Sequence, residues 1–572
     1  MVSAPAAIPV ARGDPATVPE AATPLDFACR WERTAGDRPW LTQPLGGGRL
    51  RRWTWREAID EARRLAAHLA GLHLPARSNI ALCSKNCAWW FMADLGIWMA
   101  GHVSVPLYPN LTADVVRHVL DHSQARLLFV GKLDPVWEEM KRGVPPHLPC
   151  ITFPLSPALE AQGWDDVVSA RAPLEACVRR SPDEVATVIY TSGTTGLPKG
   201  AMISFGAMSA VARQYATLLE AGPADRVLSY LPLAHALERA FVETGSLVAG
   251  FQVFFAERPD TFLADLRRAR PSQFLSVPRL WMMFRAGVLR EVPPARLDRL
   301  LAVPFLRGLT RRRILRRLGL DRARVTGSAS APLPPEVIAW YRKLGLELLE
   351  GYALTENFGY SHLGRPGNTR PGYVGPPLPG VECRLGSDGE ILVKSPGTML
   401  GYFRDATATA ETFTADGFLR TGDLGAEDSD GQLRITGRAK EPFKTAGGNY
   451  VAPAPIETRL RTHPEVGECC VCGSGLPQPY AVVVLSDAGR QRLAAGERPA
   501  LEGELLEHLK SVNQDLARHE QLAFLAVVDD DWLPENGFLT PTLKVKRARI
   551  ESTYGPLAPL WLRQGQGVVW KS

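Results

Sequence analysis

Eleven residues, Tyr190–Gly200 (YTSGTTGLPKG), constrain this chain more than any other stretch. The run before them, Val185–Tyr190 (VATVIY), is short, apolar and β-branched, the composition of a buried strand. Ala201–Ser204 can resume a strand, and Phe205–Leu219 has helical spacing. Between the strands stand Gly193, Gly196 and Gly200, the hydroxyl residues Thr191, Ser192, Thr194 and Thr195, and one cation, Lys199. Glycine lets backbone approach a ligand closely. Hydroxyls and free backbone N–H groups donate to phosphate oxygens, and a lysine adds a point charge. The stretch reads as a strand–loop–strand cradle for a polyphosphate, with an ordinary Gly/Thr-rich turn as the competing reading. It is not a Walker A loop, because Lys199 follows Pro198 and precedes Gly200 rather than a hydroxyl residue.

The rest of the chain alternates helix and strand patterns. Thr54-Trp55-Arg56-Glu57 is a capping-box pattern, after which Ile59, Ala62, Leu65, Ala66 and Leu69 recur at helical spacing. Asn79–Cys83, His102–Leu107 and Arg126–Val130 read as strands, and Trp89–Ala100 as a helix. This alternation predicts an α/β architecture with largely parallel sheets. The most apolar long window, Ala88–Leu107, is interrupted by Asp94 and His102 and reads as a core helix running into a core strand rather than a membrane span. A length of 572 residues allows about two to four domains. The formal net charge of +6 is mild at that size and gives no argument for nucleic acid. Residues 1–24, rich in Ala and Pro without a basic start, read as a disordered leader and not a signal peptide. Cys469 and Cys472 have CxxC spacing, but with Cys470 they lie in an apolar strand-like run and read as buried small hydrophobes. The cysteine usage suggests a reducing cytosol.

YTSGTTGLPKG resembles the phosphate-binding signature of the adenylate-forming superfamily, which includes acyl-CoA synthetases, adenylation domains of peptide synthetases, and luciferases. Similar blocks follow in the family's order. Leu231–Arg239 (LPLAHALER) is similar to the block after the phosphate loop in long-chain acyl-CoA synthetases, which places His235 where acyl group, adenylate and thiol channel meet. Val325–Pro335 (VTGSASAPLPP) resembles the loop bordering adenine, with Ser328 and Ala329. GYALTE, from Gly351, resembles the next signature: Tyr352 stacks on adenine, Thr355 contacts phosphate and Glu356 holds Mg²⁺. In Arg420–Leu424 (RTGDL), Asp423 matches the carboxylate that accepts the ribose hydroxyls. In Leu433–Lys440 (LRITGRAK), Arg438 reaches ribose and phosphates and Lys440 is the hinge; Gly447 and Gly448 line the thiol channel after rotation. Leu539–Arg547 (LTPTLKVKR) is similar to the terminal lysine motif, with Lys544 as the lysine. Many relatives read S-G-K there; T-L-K matches the long-chain group.

The resemblance implies a large N-terminal domain of several subdomains over 25–437, a hinge at 438–440, and a small mobile α/β lid over 441–572. It implies a cytoplasmic, AMP-forming fatty acyl-CoA synthetase that uses ATP, Mg²⁺ and CoA with a long- or medium-chain fatty acid. A fatty acyl-AMP ligase loading a separate acyl carrier protein is the close alternative. A catalytically dead homologue and a luciferase-type oxygenase are more distant ones. Arg307, Arg311, Arg312, Arg313, Arg316 and Arg317 crowd one expected helix. They read as a solvated face, or as a surface attracted to anionic lipid headgroups or to CoA phosphates.

Overall fold

The computed structural model describes residues 21–175, 179–191, 197–439, 441–540 and 544–571. Its central sheet has eight strands in the spatial order Gly401–Tyr402, Lys199–Ser204, Val185–Thr191, Val103–Leu107, Asn79–Cys83, Leu127–Val130, Cys150–Thr152 and Gln162–Gly163. The inner strands pair in parallel. The hairpin Val185–Thr191/Lys199–Ser204 closes one side antiparallel. The alternation of short β-branched runs and helices therefore becomes a doubly covered α/β sheet, as parallel pairing requires.

The run Ala88–Met99 is a helix buried along its whole length, followed directly by the strand Val103–Leu107. Such a helix is apolar all round because protein surrounds it. No helix of the described residues is long and apolar enough to cross a membrane. Asp94 on this helix has no solvent exposure and pairs with the equally buried Arg239, Nη1 to Oδ2 at 2.9 Å.

Three further sheets complete the part before the expected hinge. Arg226–Ser229, Gln252–Phe255, Pro39–Pro44 and Leu50–Thr54 form one, and Gln273–Ser276, Val325–Ala329, Leu348–Tyr352 and His362–Leu363 a second. Glu382–Leu385, Glu390–Lys394, Leu419–Glu427 and Leu433–Arg438 form an antiparallel third. Downstream, Val466–Cys472, Tyr480–Leu485, Leu525–Val528 and Val568–Trp570 build a separate four-stranded sheet with its own core. Cys469, Cys470 and Cys472 are buried free thiols on its first strand.

Two details differ from the sequence reading. Ala22 and Thr23 are buried against the first helix, Pro24–Ala35, so ordered packing starts before residue 25. Cys29 on that helix is disulfide-bonded, a pairing the sequence reading did not include.

Candidate active site

Two strands deliver one edge of the site. Val325–Ala329 and Leu348–Tyr352 pair in parallel, with Ser328 opposite Glu350 and Ala329 opposite Gly351. Ser328, Ala329, Gly351 and Tyr352 thus leave the sheet together at its carboxyl edge, where open α/β sheets bind ligands. The Ser328 hydroxyl is buried without a hydrogen-bond partner among the described residues. A buried polar group in that state calls for a ligand or a water.

The Tyr352 hydroxyl donates to Asp423 Oδ2 at 2.7 Å, and Arg438 Nε lies 3.0 Å from Asp423 Oδ1. Asp423 follows a glycine and looks like a turn residue in sequence. In the structure it sits inside the strand Leu419–Glu427, 5% exposed, directly opposite Arg438. Burial, and then the Asp423 charge, hold the Tyr352 hydroxyl well above the usual phenol range, so it stays a donor.

A second connection runs through Tyr402. Its hydroxyl donates to Glu356 Oε1 at 2.8 Å, and Met399 N donates to the Glu356 carbonyl at 2.8 Å. Tyr402 lies on the edge strand that pairs with Lys199–Ser204, and Lys199 Nζ stands 5.3 Å from the centre of its ring. Tyr402 therefore links the lysine of the hairpin to Glu356. Among the described residues no group of three or more His, Cys, Asp or Glu could hold a metal ion. A divalent ion at Glu356 would take its other ligands from water and substrate phosphates, the habit of Mg²⁺, so the donor set fits that ion.

Thr191 and Lys199 face each other across the mouth of the hairpin. Ser192, Gly193, Thr194, Thr195 and Gly196 lie outside the described residues, as does Lys440. Both ends of the hairpin are gripped by the helix Ala113–Ser123. His118 Nε2 is 3.1 Å from the Pro198 carbonyl, and His122 Nδ1 is 2.8 Å from the Tyr190 hydroxyl.

His235 caps a short turn, its Nδ1 accepting from Leu237 N at 3.2 Å. Burial, and next the charge of Lys544, lower its pKa to about 4. At neutral pH the ring is uncharged, and with Nδ1 accepting, its proton belongs on Nε2. Three residues on, Glu238 Oε1 accepts from Ser229 Oγ at 2.7 Å, Tyr230 N at 3.1 Å and Asn86 Nδ2 at 3.2 Å. Burial raises the Glu238 carboxyl to about 8.

Lys544 comes from the far end of the chain. Its N–H donates to Thr540 Oγ1 at 3.0 Å, and Thr540 N donates back to its carbonyl at 2.7 Å. The side chain reaches solvent, yet protein packed around it lowers its pKa; Arg438 lowers it further, while Asp423, Glu441 and Glu356 oppose the shift. A lysine standing in a wet, protein-walled cleft has both properties. The structure thus brings Lys544 into the electrostatic reach of Glu356, Asp423, Arg438 and His235. Thr355 begins the single turn Thr355–Asn357 that carries Glu356. Gly447 and Gly448 are exposed at the tip of the hairpin Phe443–Lys444/Tyr450–Val451 and are not among the groups gathered here.

A family model described as AMP-binding enzyme matches residues 27–403, and one described as AMP-binding enzyme C-terminal domain matches residues 444–556. The chain belongs to the AMP-binding enzyme family. This AMP-binding enzyme is 31% identical to the long-chain-fatty-acid–CoA ligase FadD15 of Mycobacterium bovis, over 86% of this chain and 89% of that protein. It is 28% identical to the peroxisomal long chain acyl-CoA synthetase 6 of Arabidopsis thaliana, over 93% of this chain and 82% of that one. Its fold matches the crystal structure of the adenylation domain of a carboxylate reductase from Mycobacterium chelonae, with a TM-score of 0.79 at 23% identity, covering 96% of this chain and 92% of that one.

Proposed function

We propose that this AMP-binding enzyme is a fatty acyl-CoA synthetase. It activates a long- or medium-chain fatty acid with ATP to the acyl-adenylate and transfers the acyl group to CoA. The observation that carries the reading is the electrostatic environment of Lys544, a lysine from the C-terminal part set among Glu356, Asp423 and Arg438. The acyl class and the acceptor come from the relatives, which are named long-chain fatty acid CoA ligases and acyl-CoA synthetases. Those names favour CoA over an acyl carrier protein.

The chemistry follows from the charges. In the first step a carboxylate oxygen of the fatty acid bonds to the α-phosphorus of ATP, and the bond to the bridging oxygen breaks, releasing pyrophosphate. Two anions meet, so fixed positive charge must stand where negative charge builds. Lys544 supplies it beside the acyl carboxylate; burial and then Arg438 lower its pKa, and Asp423, Glu441 and Glu356 oppose that shift. Lys199, with Thr191 and the residues Ser192–Gly196, holds the departing pyrophosphate, and Thr355 the α-phosphate. Glu356, oriented by Tyr402, would hold Mg²⁺, which would neutralise phosphate charge. Ser328, Ala329, Gly351 and Tyr352 border the adenine, and Asp423 with Arg438 takes the ribose. His235 is a neutral Nε2–H donor and not a base, because its Nδ1 is already engaged. In the second step the CoA sulfur bonds to the acyl carbon, AMP leaves, and the thiol proton is lost to water. Between the steps the C-terminal part turns about Lys440, withdrawing Lys544 and bringing Gly447 and Gly448 to the thiol channel. A cytoplasmic reaction, with peripheral contact to the membrane that holds the fatty acids, completes the reading.

Lys544→Ala tests it. ATP–pyrophosphate exchange driven by a fatty acid should collapse, while thioester formation from preformed acyl-adenylate and CoA stays within a few-fold of the parent. Equal loss in both half-reactions removes Lys544 from the role. Acyl-adenylate that accumulates and ignores CoA identifies a carrier-loading ligase instead.

A further inference from the structure

The helix Pro304–Leu318 turns one face into the protein through Ile314 and Leu318, both buried. Its opposite face is unusual. Phe305 is 85% exposed and Leu309, one turn on, is 64% exposed. Arg312 and Arg316 continue the same line, since spacings of four, three and four residues keep side chains on one face of a helix. Arg313 stands beside them, exposed. Val303, at the helix N-cap, is 45% exposed.

The neighbouring charges are largely spoken for. Arg317 pairs with Glu291, and Asp298 with Lys343. Arg307 Nε donates to the Leu301 carbonyl and Arg311 Nε to the Lys343 carbonyl. Arg312, Arg313 and Arg316 have no ion pair or hydrogen bond among the described residues, while exposed Arg296 and Arg299 on the preceding helix add positive charge. The outer face of a helix about 22 Å long therefore carries an aromatic and an aliphatic anchor at one end and unneutralised guanidinium groups along the rest.

We propose that this face docks the enzyme on an anionic lipid bilayer, with Phe305 and Leu309 inserted at the headgroup boundary and Arg312, Arg313 and Arg316 on lipid phosphates. An apolar anchor beside unpaired basic groups is the composition of a helix that lies in the plane of a membrane surface. A soluble polyanion, CoA included, would use the arginines but leave Phe305 and Leu309 in water, which is the reason to commit to a bilayer. The inference rests on the fatty-acid substrate proposed above only for why such a surface exists, and the binding itself needs no catalysis.

The test is co-sedimentation of the full-length protein with vesicles of phosphatidylcholine alone or with about 30% phosphatidylglycerol, at low and high salt. Binding should require the anionic lipid and weaken as salt rises. Arg312→Gln/Arg313→Gln/Arg316→Gln should lose on the order of a hundredfold in partitioning, near fivefold per arginine. Phe305→Ser/Leu309→Ser should abolish the part that survives high salt. Both variants point outward, so their melting and their KM for CoA should match the parent. No binding of the parent to anionic vesicles at low salt overturns the proposal, as do variants that bind like the parent. A raised KM for CoA with vesicle binding intact reassigns the arginines to CoA. A parent dimer that Phe305→Ser/Leu309→Ser dissociates, without lipid binding, makes the face a contact between copies and also overturns it. Vesicle binding without acyl-CoA formation from any fatty acid would leave the surface standing and remove the function proposed above.

Discussion

Tyr402→Phe isolates the link between Lys199 and Glu356. The substitution keeps the ring that Lys199 faces at 5.3 Å and removes only the hydroxyl that donates to Glu356 at 2.8 Å. A hydrogen bond to a charged group contributes about 1.5–3 kcal/mol. Glu356 is partly accessible, so water can replace the donor, and the lower end applies. If that energy serves to hold the carboxylate where the metal and α-phosphate need it, about 1.5 kcal/mol corresponds to roughly tenfold in rate. The assay is fatty-acid-dependent ATP–pyrophosphate exchange across a Mg²⁺ titration, run beside thioester formation from preformed acyl-adenylate. The exchange rate should fall about tenfold and the Mg²⁺ requirement should rise. The second half-reaction should change less than about twofold, since it makes no use of the metal-bound phosphates. In a Glu356→Gln background the same change should cost little, because the two residues act as a unit. Unchanged exchange, equal losses in both half-reactions, or additive losses in the double variant would each refute the link.

Other perturbations follow from the same geometry. Arg239→Met strands Asp94 in a site with no solvent access, a loss of about 3–5 kcal/mol, which a denaturant melt reads directly; melting like the parent would show that the pair carries no stability. Tyr352→Phe takes one of two partners from Asp423 and should raise KM for ATP while leaving KM for the fatty acid alone. Glu238 binds a proton in the fold up to pH about 8 but in the unfolded chain only to the usual carboxylate range, so its contribution is lost as pH rises through that window. Glu238→Gln, which imitates the protonated acid, should flatten the fall in stability between about pH 5 and 8; an unchanged slope in a pH series of melts would place the loss elsewhere.

How much of this was legible in the sequence depended on how far away the partner stood. The strand before the phosphate loop, the capping box at Thr54 and the helix after Ser204 are local patterns, and each forms as its spacing requires. The buried helix at Ala88–Met99 was separable from a membrane span because Asp94 interrupts it, although its partner Arg239 could not be foreseen. Asp423 looked like a turn residue because Gly422 precedes it; the strand continues through both, and only tertiary pairing with Arg438 reveals that. Tyr402 lies 46 residues from Glu356, His122 lies 68 from Tyr190, and Glu238 lies 152 from Asn86. None of these side chains carries a signal in its own neighbourhood. They support the motif residues from behind, and a motif written as spacing cannot contain them.

The charge of Lys544 felt at His235 shows why that support matters to the chemistry. Adenylation needs a cation at the meeting of two anions, but a second cation beside the first would raise the cost of holding both. Burial already disfavours a charged His235, and the nearby lysine disfavours it further. The imidazole therefore stays neutral while Lys544 is in place, and it donates through Nε2 without competing for the charge. Withdrawal of Lys544 for thioester formation would remove the second of those causes and leave the first. Were the C-terminal part to turn between the half-reactions, His235 would meet different electrostatics in each, and burial, the larger cause, would keep its imidazole neutral in both.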